Sequence, residues 1–170
     1  MADRMTGILT THVLDVMHGC PAANMQIQLW RIDQVVTNHV VGREPPPRGD
    51  REGRNAASAS STPRDFDAEH GSTSRGVDGG ISSTRYLLKT VYTTDNGRTA
   101  SPLLQNEDFL IGRYELVFAV KDYFTALGVA LPEPAFLDDV PIRFAIAHAD
   151  EHYHVPLLVS PWAYSTYRGS

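Results

Sequence analysis

Residues 42–83 hold only seven apolar side chains among forty-two, against seven Gly, four Pro and seven Ser. A segment this poor in apolar surface cannot offset the roughly 1–2 kcal/mol per residue that ordering a backbone costs. It is therefore expected to be a disordered insertion, and whatever fold exists must be built from the flanks. Closing a flexible loop costs only about 0.6 kcal/mol more per doubling of its length, so two strands can be joined through it. Residues 1–41 and 84–170 hold 64 apolar residues in 128, enough core for a single ordinary domain.

Charge and cysteine content narrow the function classes. Fifteen basic and twenty acidic side chains give a formal charge of -5, and no basic stripe interrupts that balance. A nucleic-acid partner is not expected. Within residues 42–83 the charges are mixed, six Arg against seven Asp or Glu, so that segment is no basic arm either. Cys20 is the single cysteine, which excludes an intrachain disulfide and a thiolate zinc cage. No run approaches the roughly 18 apolar residues of a membrane span, and the residues after Met1 lack a signal-peptide core. The expected compartment is the cytoplasm. The sequence closes on Arg168-Gly169-Ser170 and not Ser-Lys-Leu, which leaves an internal or N-terminal route to a peroxisome-like organelle open.

The flanks read as strands. Residues 8–15 (ILTTHVLD) are short and β-branched and run into the turn cluster His18-Gly19-Cys20-Pro21. Residues 25–32 alternate Met25, Ile27 and Leu29 against Gln26 and Gln28. Residues 86–94 are β-rich and end in Asp95-Asn96-Gly97, a turn signal. Further strands are expected around Tyr114–Val120 and Ile142–Ile146, over residues 152–160, and over 162–168 beyond a hinge at Pro161. Residues 122–128 read as one short helix, with Asp122 as N-cap and Gly128 as stop. Many short strands with a single helix predict an all-β, antiparallel β-sandwich.

Some polar residues fit this frame poorly. His12 stands inside an apolar strand, where a hydrogen-bonded packing role is the commoner outcome. His152 and His154 are two apart, so a strand puts both imidazoles on one face with Tyr153 opposite. That arrangement suits a metal site, a general-base pair or plain exposure. Arg98 follows the turn and would ordinarily be a loop residue; His18, His39, His70 and His148 would ordinarily be solvated. The terminal residues 164–170 are rich in hydroxyls, as an edge strand often is.

Taken together, Thr11-His12-Val13-Leu14-Asp15 with Gly19-Cys20-Pro21-Ala22, Asp95-Asn96-Gly97-Arg98, His152-Tyr153-His154-Val155-Pro156-Leu157-Leu158 and the closing Tyr167-Arg168-Gly169-Ser170 resemble the 5-hydroxyisourate hydrolases. These are the transthyretin-related enzymes of urate breakdown. The resemblance covers nearly everything outside residues 42–83, in unbroken order. It implies a transthyretin-like sandwich of two four-stranded sheets with one short helix, assembled as a homotetramer (a dimer of dimers). The first strand would pair with the penultimate one, and the last would lie beside them. It also implies cofactor-free, metal-free hydrolysis of the N1–C6 amide of 5-hydroxyisourate, a small purine-derived substrate, to 2-oxo-4-hydroxy-4-carboxy-5-ureidoimidazoline. His12, Arg98 and His154 would be catalytic, and Tyr167, Arg168, Gly169 and Ser170 would bind substrate.

The resemblance leaves open which histidine is the base. Water needs a base to attack an amide carbonyl at neutral pH, and imidazole, with an ordinary pKa of about 6.5, supplies one. Two rivals are a transthyretin-like carrier of an apolar ligand and a zinc hydrolase using His12, His152 and His154.

Overall fold

The computed structural model describes residues 7–37 and 80–169. The chain groups into one unit of Met1–Val35 with Ser83–Ser170 and a second of Val36–Ser82. Of the second, only the backbone at 36–37 and 80–82 falls within the described residues. His39, His70 and most of the expected insertion, residues 42–79, lie outside them. Residues 80–83, expected to be part of that insertion, are strand. They extend a sheet edge, where backbone pairing asks little of the side chains.

The elements in chain order are β1 (Ile8–Thr10), β2 (Val13–Asp15), β3 (Cys20–Pro21), β4 (Gln26–Thr37), β5 (Gly80–Tyr92), β6 (Leu104–Gln105), β7 (Gly112–Ala119), α1 (Val120–Ala126), β8 (Asp139–Ile146), β9 (His152–His154), β10 (Leu157–Ser160) and β11 (Ala163–Thr166). One sheet runs β5-β4-β7-β8. In β4 and β7 the apolar alternation buries Ile27, Leu29, Tyr114, Leu116 and Phe118. The polar positions between them lie on the outer face, where Glu115 is nonetheless buried. Its carboxylate is buried between Arg85 and Arg143. Burial alone would raise its pKa; hydrogen bonds and charge from the two arginines outweigh that and hold it below the ordinary value.

The other layer consists of two ladders, β6-β1-β9 and β11-β10-β2-β3. They are halves of one surface, because β1 leads into β2 and β9 into β10. Both β1–β9 and β2–β10 pair in parallel, so one parallel seam runs through the sandwich. The first strand does pair with the penultimate one, and β11 lies beside it. The seam is interrupted at Thr11–His12 and Val155–Pro156 for a local reason. The Val155 carbonyl accepts a hydrogen bond from the Thr11 hydroxyl at 2.7 Å. Pro156 has no N–H to offer. Backbone bonds on either side, Val155 N–H to Thr10 O and Leu157 N–H to His12 O, keep the strands in register.

Leu9, Val13, Tyr153, Leu157 and Val159 from this layer meet the buried residues of the other sheet in one core. Helix α1 starts at Val120, two residues before the expected cap. Strand β7 runs straight into it, with Ala119 at the N-cap position and no side-chain cap. Asp122 falls in its first turn instead, where a carboxylate suits the helix dipole. Gly128 ends it as expected, at φ +76°, a conformation glycine adopts without strain. The spacing Val120, Tyr123, Phe124 buries one face of the helix in the core.

Candidate active site

His12 lies in the break between β1 and β2, and the alternation and register of the two strands continue across it. Its backbone forms an antiparallel bridge with Arg98 on one side, and its carbonyl accepts from Leu157 on the other. Bridged residues project to the same face of a sheet, so the guanidinium and the imidazole share one surface. The turn before Arg98 is tightly specified. Gly97 N–H bonds Thr94 O at 2.8 Å, Thr94 N–H bonds Arg98 O at 2.7 Å, and Asn96 Oδ1 accepts from the Arg98 N–H. Gly97 has φ +73°, and a Cβ there would stand 2.3 Å from the Val13 carbonyl and 3.1 Å from the His12 ring. Only glycine lets the turn pack this closely against His12.

In the parallel register Thr10 is opposite His154 and Ile8 opposite His152. Thr10, His12, His152 and His154 therefore share the face that carries Arg98, while Leu9, Tyr153 and Val155 point into the core. The Thr10 hydroxyl lies 2.8 Å from His152 Nε2 and 2.8 Å from His154 Nδ1. Sequence reasoning missed Thr10. Its position two residues before His12 in a strand was the available signal.

Both half-buried imidazoles are biased toward the neutral form. His12 titrates below its ordinary 6.5 because burial disfavours the cation; Arg98 adds repulsion, and a hydrogen bond to the Asn96 backbone opposes both. His154 is lowered in the same way by burial, then by Arg98, His152 and His12. These couplings place Arg98, His12 and His154 in one electrostatic cluster. Among the described residues, His12 Nε2 is the buried side-chain polar atom with no hydrogen-bond partner. A ring carrying its proton on Nδ1 would leave the Nε2 lone pair free.

The C-terminal residues divide between two faces. Gly169 forms a bridge with His154, exchanging N–H···O bonds of 2.8 and 3.4 Å. A Cβ on Gly169 would stand 2.9 Å from the His154 ring. Arg168, one residue earlier, turns to the opposite face. It pairs with Glu151 and stacks 4.5 Å from the centroid of Tyr153. With the exposed Tyr167 it lines a hollow of about 220 Å³ beside Phe144 and Val155, away from the imidazoles. The structure thus joins His12, Arg98, His154 and Gly169 and turns Arg168 away from them. Ser170 lies outside the described residues.

A hollow of about 150 Å³ opens beside the cluster, walled by Thr10, Thr11, Arg98 and residues 99–102. Larger hollows exist elsewhere on the surface but carry no comparable grouping of imidazole and guanidinium. Among the described residues no three His, Cys, Asp or Glu side chains gather as a metal-ligand set. His18, expected to be solvated, bonds through Nδ1 at 2.6 Å to the buried Asp15 carboxylate, which also accepts from Tyr123.

Comparison with known proteins adds the following. The profile of the HIUase/Transthyretin family matches residues 9–69 and 62–169. A 5-hydroxyisourate hydrolase of Pseudomonas aeruginosa is 42% identical over 164 residues, spanning 96% of this chain and 92% of that protein. The protein named 5-hydroxyisourate hydrolase 2 of Rhizobium meliloti is 41% identical over 165 residues, spanning 97% and 98%. The crystal structure of sea bream transthyretin with thyroxine superposes with a TM-score of 0.57 at 19% identity, over 95% of this chain and 93% of that one.

Proposed function

The chain belongs to the HIUase/Transthyretin family and hydrolyses 5-hydroxyisourate in purine catabolism, and we propose that His12, Arg98 and His154 carry the reaction at the N1–C6 amide, with His12 as the general base. The observation that carries this reading is the unpartnered Nε2 of His12 beside Arg98. A buried lone pair without a donor costs free energy unless something arrives to use it. A water molecule there would give up its proton to Nε2 as its oxygen attacks C6. Such base catalysis is worth roughly 10²–10⁴ in rate.

Arg98 serves twice in this scheme. Its positive charge keeps His12 neutral, and its fork of N–H donors meets the oxygen that becomes negative as C6 turns tetrahedral. One well-placed donor of that kind contributes about 3–4 kcal/mol. His154 then protonates the departing N1 as the ring opens and regains a proton as His12 releases the one it took from water, so both imidazoles return to neutral. The product is 2-oxo-4-hydroxy-4-carboxy-5-ureidoimidazoline. No metal or other cofactor enters the scheme.

The terminal segment closes the site. Gly169 seats against His154, and Arg168 anchors the segment through Glu151 and Tyr153 instead of reaching the imidazoles. Tyr167 and Ser170 complete the substrate-binding tetrapeptide in this reading. The cluster sits on an open sheet face, which supports a homotetramer, a dimer of dimers, in which a neighbouring subunit supplies the opposite wall. No helix among the described residues is long and apolar enough to cross a membrane. A cytoplasmic location completes the proposal.

The test generates 5-hydroxyisourate with uricase and follows its ultraviolet decay. The chain should accelerate the decay, and His12→Ala, Arg98→Ala and His154→Ala should each lose about 10²-fold or more in kcat/KM. A folded wild-type chain that leaves the decay unchanged overturns the reading.

A further inference from the structure

The Thr10 hydroxyl joins two imidazoles through one oxygen, at 2.8 Å from His152 Nε2 and 2.8 Å from His154 Nδ1. A hydroxyl has one proton to donate. Both contacts are hydrogen bonds only if Thr10 donates to one ring while accepting from the N–H of the other. Two patterns satisfy this. In the first, His152 Nε2–H donates to Thr10, Thr10 donates to His154 Nδ1, and the His154 proton sits on Nε2. In the second every donor is reversed, and His154 Nε2 carries a lone pair. The protonation of one ring is thereby tied to that of the other through a single atom.

The surroundings separate the two patterns. His152 is exposed, whereas His154 is half-buried. A protonated His152 must donate through Nε2, which permits only the first pattern. The other charged or titratable groups acting on His154 are Arg98 and His12, both on its own face. Glu151 and Arg168 are engaged with each other on the far side of β9.

We propose that Thr10 is a positioning residue which, together with His152, holds His154 as the Nε2–H tautomer, the form able to deliver a proton to the leaving nitrogen. This rests on the reading of His154 as proton donor. Thr10 itself touches no reacting atom. Its register opposite His154 and its hydroxyl make the tautomer a property of the fold.

Two measurements on the full chain test this. Long-range ¹⁵N–¹H NMR of the histidine rings should show His154 as Nε2–H in the wild type. Thr10→Val, which keeps the shape and removes the hydroxyl, should give a mixture of tautomers; Thr10→Ser should restore the single form. In the ultraviolet assay Thr10→Val should lower kcat on the order of tenfold with KM changed less than about twofold, and Thr10→Ser should recover most of the loss. A wild-type His154 protonated on Nδ1, or a folded Thr10→Val with unchanged ring shifts and kcat, overturns the proposal. The NMR arm needs no substrate, so an inactive wild type would sink the assigned reaction and leave the tautomer result to decide on Thr10.

Discussion

Arg98 acts on two imidazoles at once, and its charge and its hydrogen-bonding fork can be separated. Arg98→Gln keeps donors near the site and removes the cation. Both His12 and His154 are held below 6.5 first by burial and then by Arg98. Without the guanidinium both rings hold protons up to a higher pH. The acid limb of the kcat/KM profile reports the free-enzyme base, so it should lie below 6.5 in the wild type and move upward in Arg98→Gln. Arg98→Lys keeps the charge and loses the planar fork, so its acid limb should stay near that of the wild type while its plateau falls. An acid limb that is identical in wild type and Arg98→Gln would remove Arg98 from the tuning of the base. At this scale the sequence showed the types of residue but not their faces. His12, Arg98 and His154 were named from motifs, yet the opposite orientations of Arg168 and Gly169 depend on one pleat of a short bridge.

The parallel seam is the element on which the site depends. Strand β1 ends and β2 begins because the Thr11 side chain takes the Val155 carbonyl that a backbone N–H would otherwise bond. Thr11 is 1% exposed, so the pair is buried. Thr11→Val conserves shape and leaves that carbonyl unpaired, at a cost of about 1–3 kcal/mol. The expected result is a lowered midpoint in urea unfolding at unchanged slope, with a loss of activity beyond it as His12 drifts from Arg98. Thr11→Ser should recover the stability. A Thr11→Val chain as stable as wild type would mean that the interruption is set elsewhere. Most strands were legible from alternation: β4, β7 and β8 follow their apolar periods closely. The interruption was not, because a Thr-to-carbonyl bond between residues 144 positions apart has no local signature. Strand β6 was equally hidden, since two residues carry no period, and the start of α1 was hidden because no capping side chain marks it.

For the molecule as a whole, the direction of each shifted pKa sets how stability varies with pH. His12 and His154 titrate lower in the folded chain than the ordinary 6.5. As pH falls below about 6.5 the unfolded chain takes up protons that the folded one refuses, so stability declines. Asp15 and Glu115 are also lowered, from 3.8 and 4.5. Burial opposes this in both and is outweighed by His18 and Tyr123 for Asp15 and by Arg143 and Arg85 for Glu115. Their stabilisation is complete above those ordinary values and is lost as pH falls through the folded ones, a second acid step. Asp139, raised from 3.8 by burial and by Asp138 and Asp122, works the other way and softens that step. At the basic end, burial raises Tyr114 and Tyr123 above 10.0, so stability falls as pH climbs past about 10. The melting temperature should therefore be highest between about pH 6.5 and 10 and should fall in two stages in acid. His12→Asn with His154→Asn removes the two rings responsible for the first stage and should leave the second intact. If the double variant still loses stability between pH 6.5 and 5 as the wild type does, the imidazoles of the site are not held neutral by the fold, and the base assigned to His12 loses its physical ground.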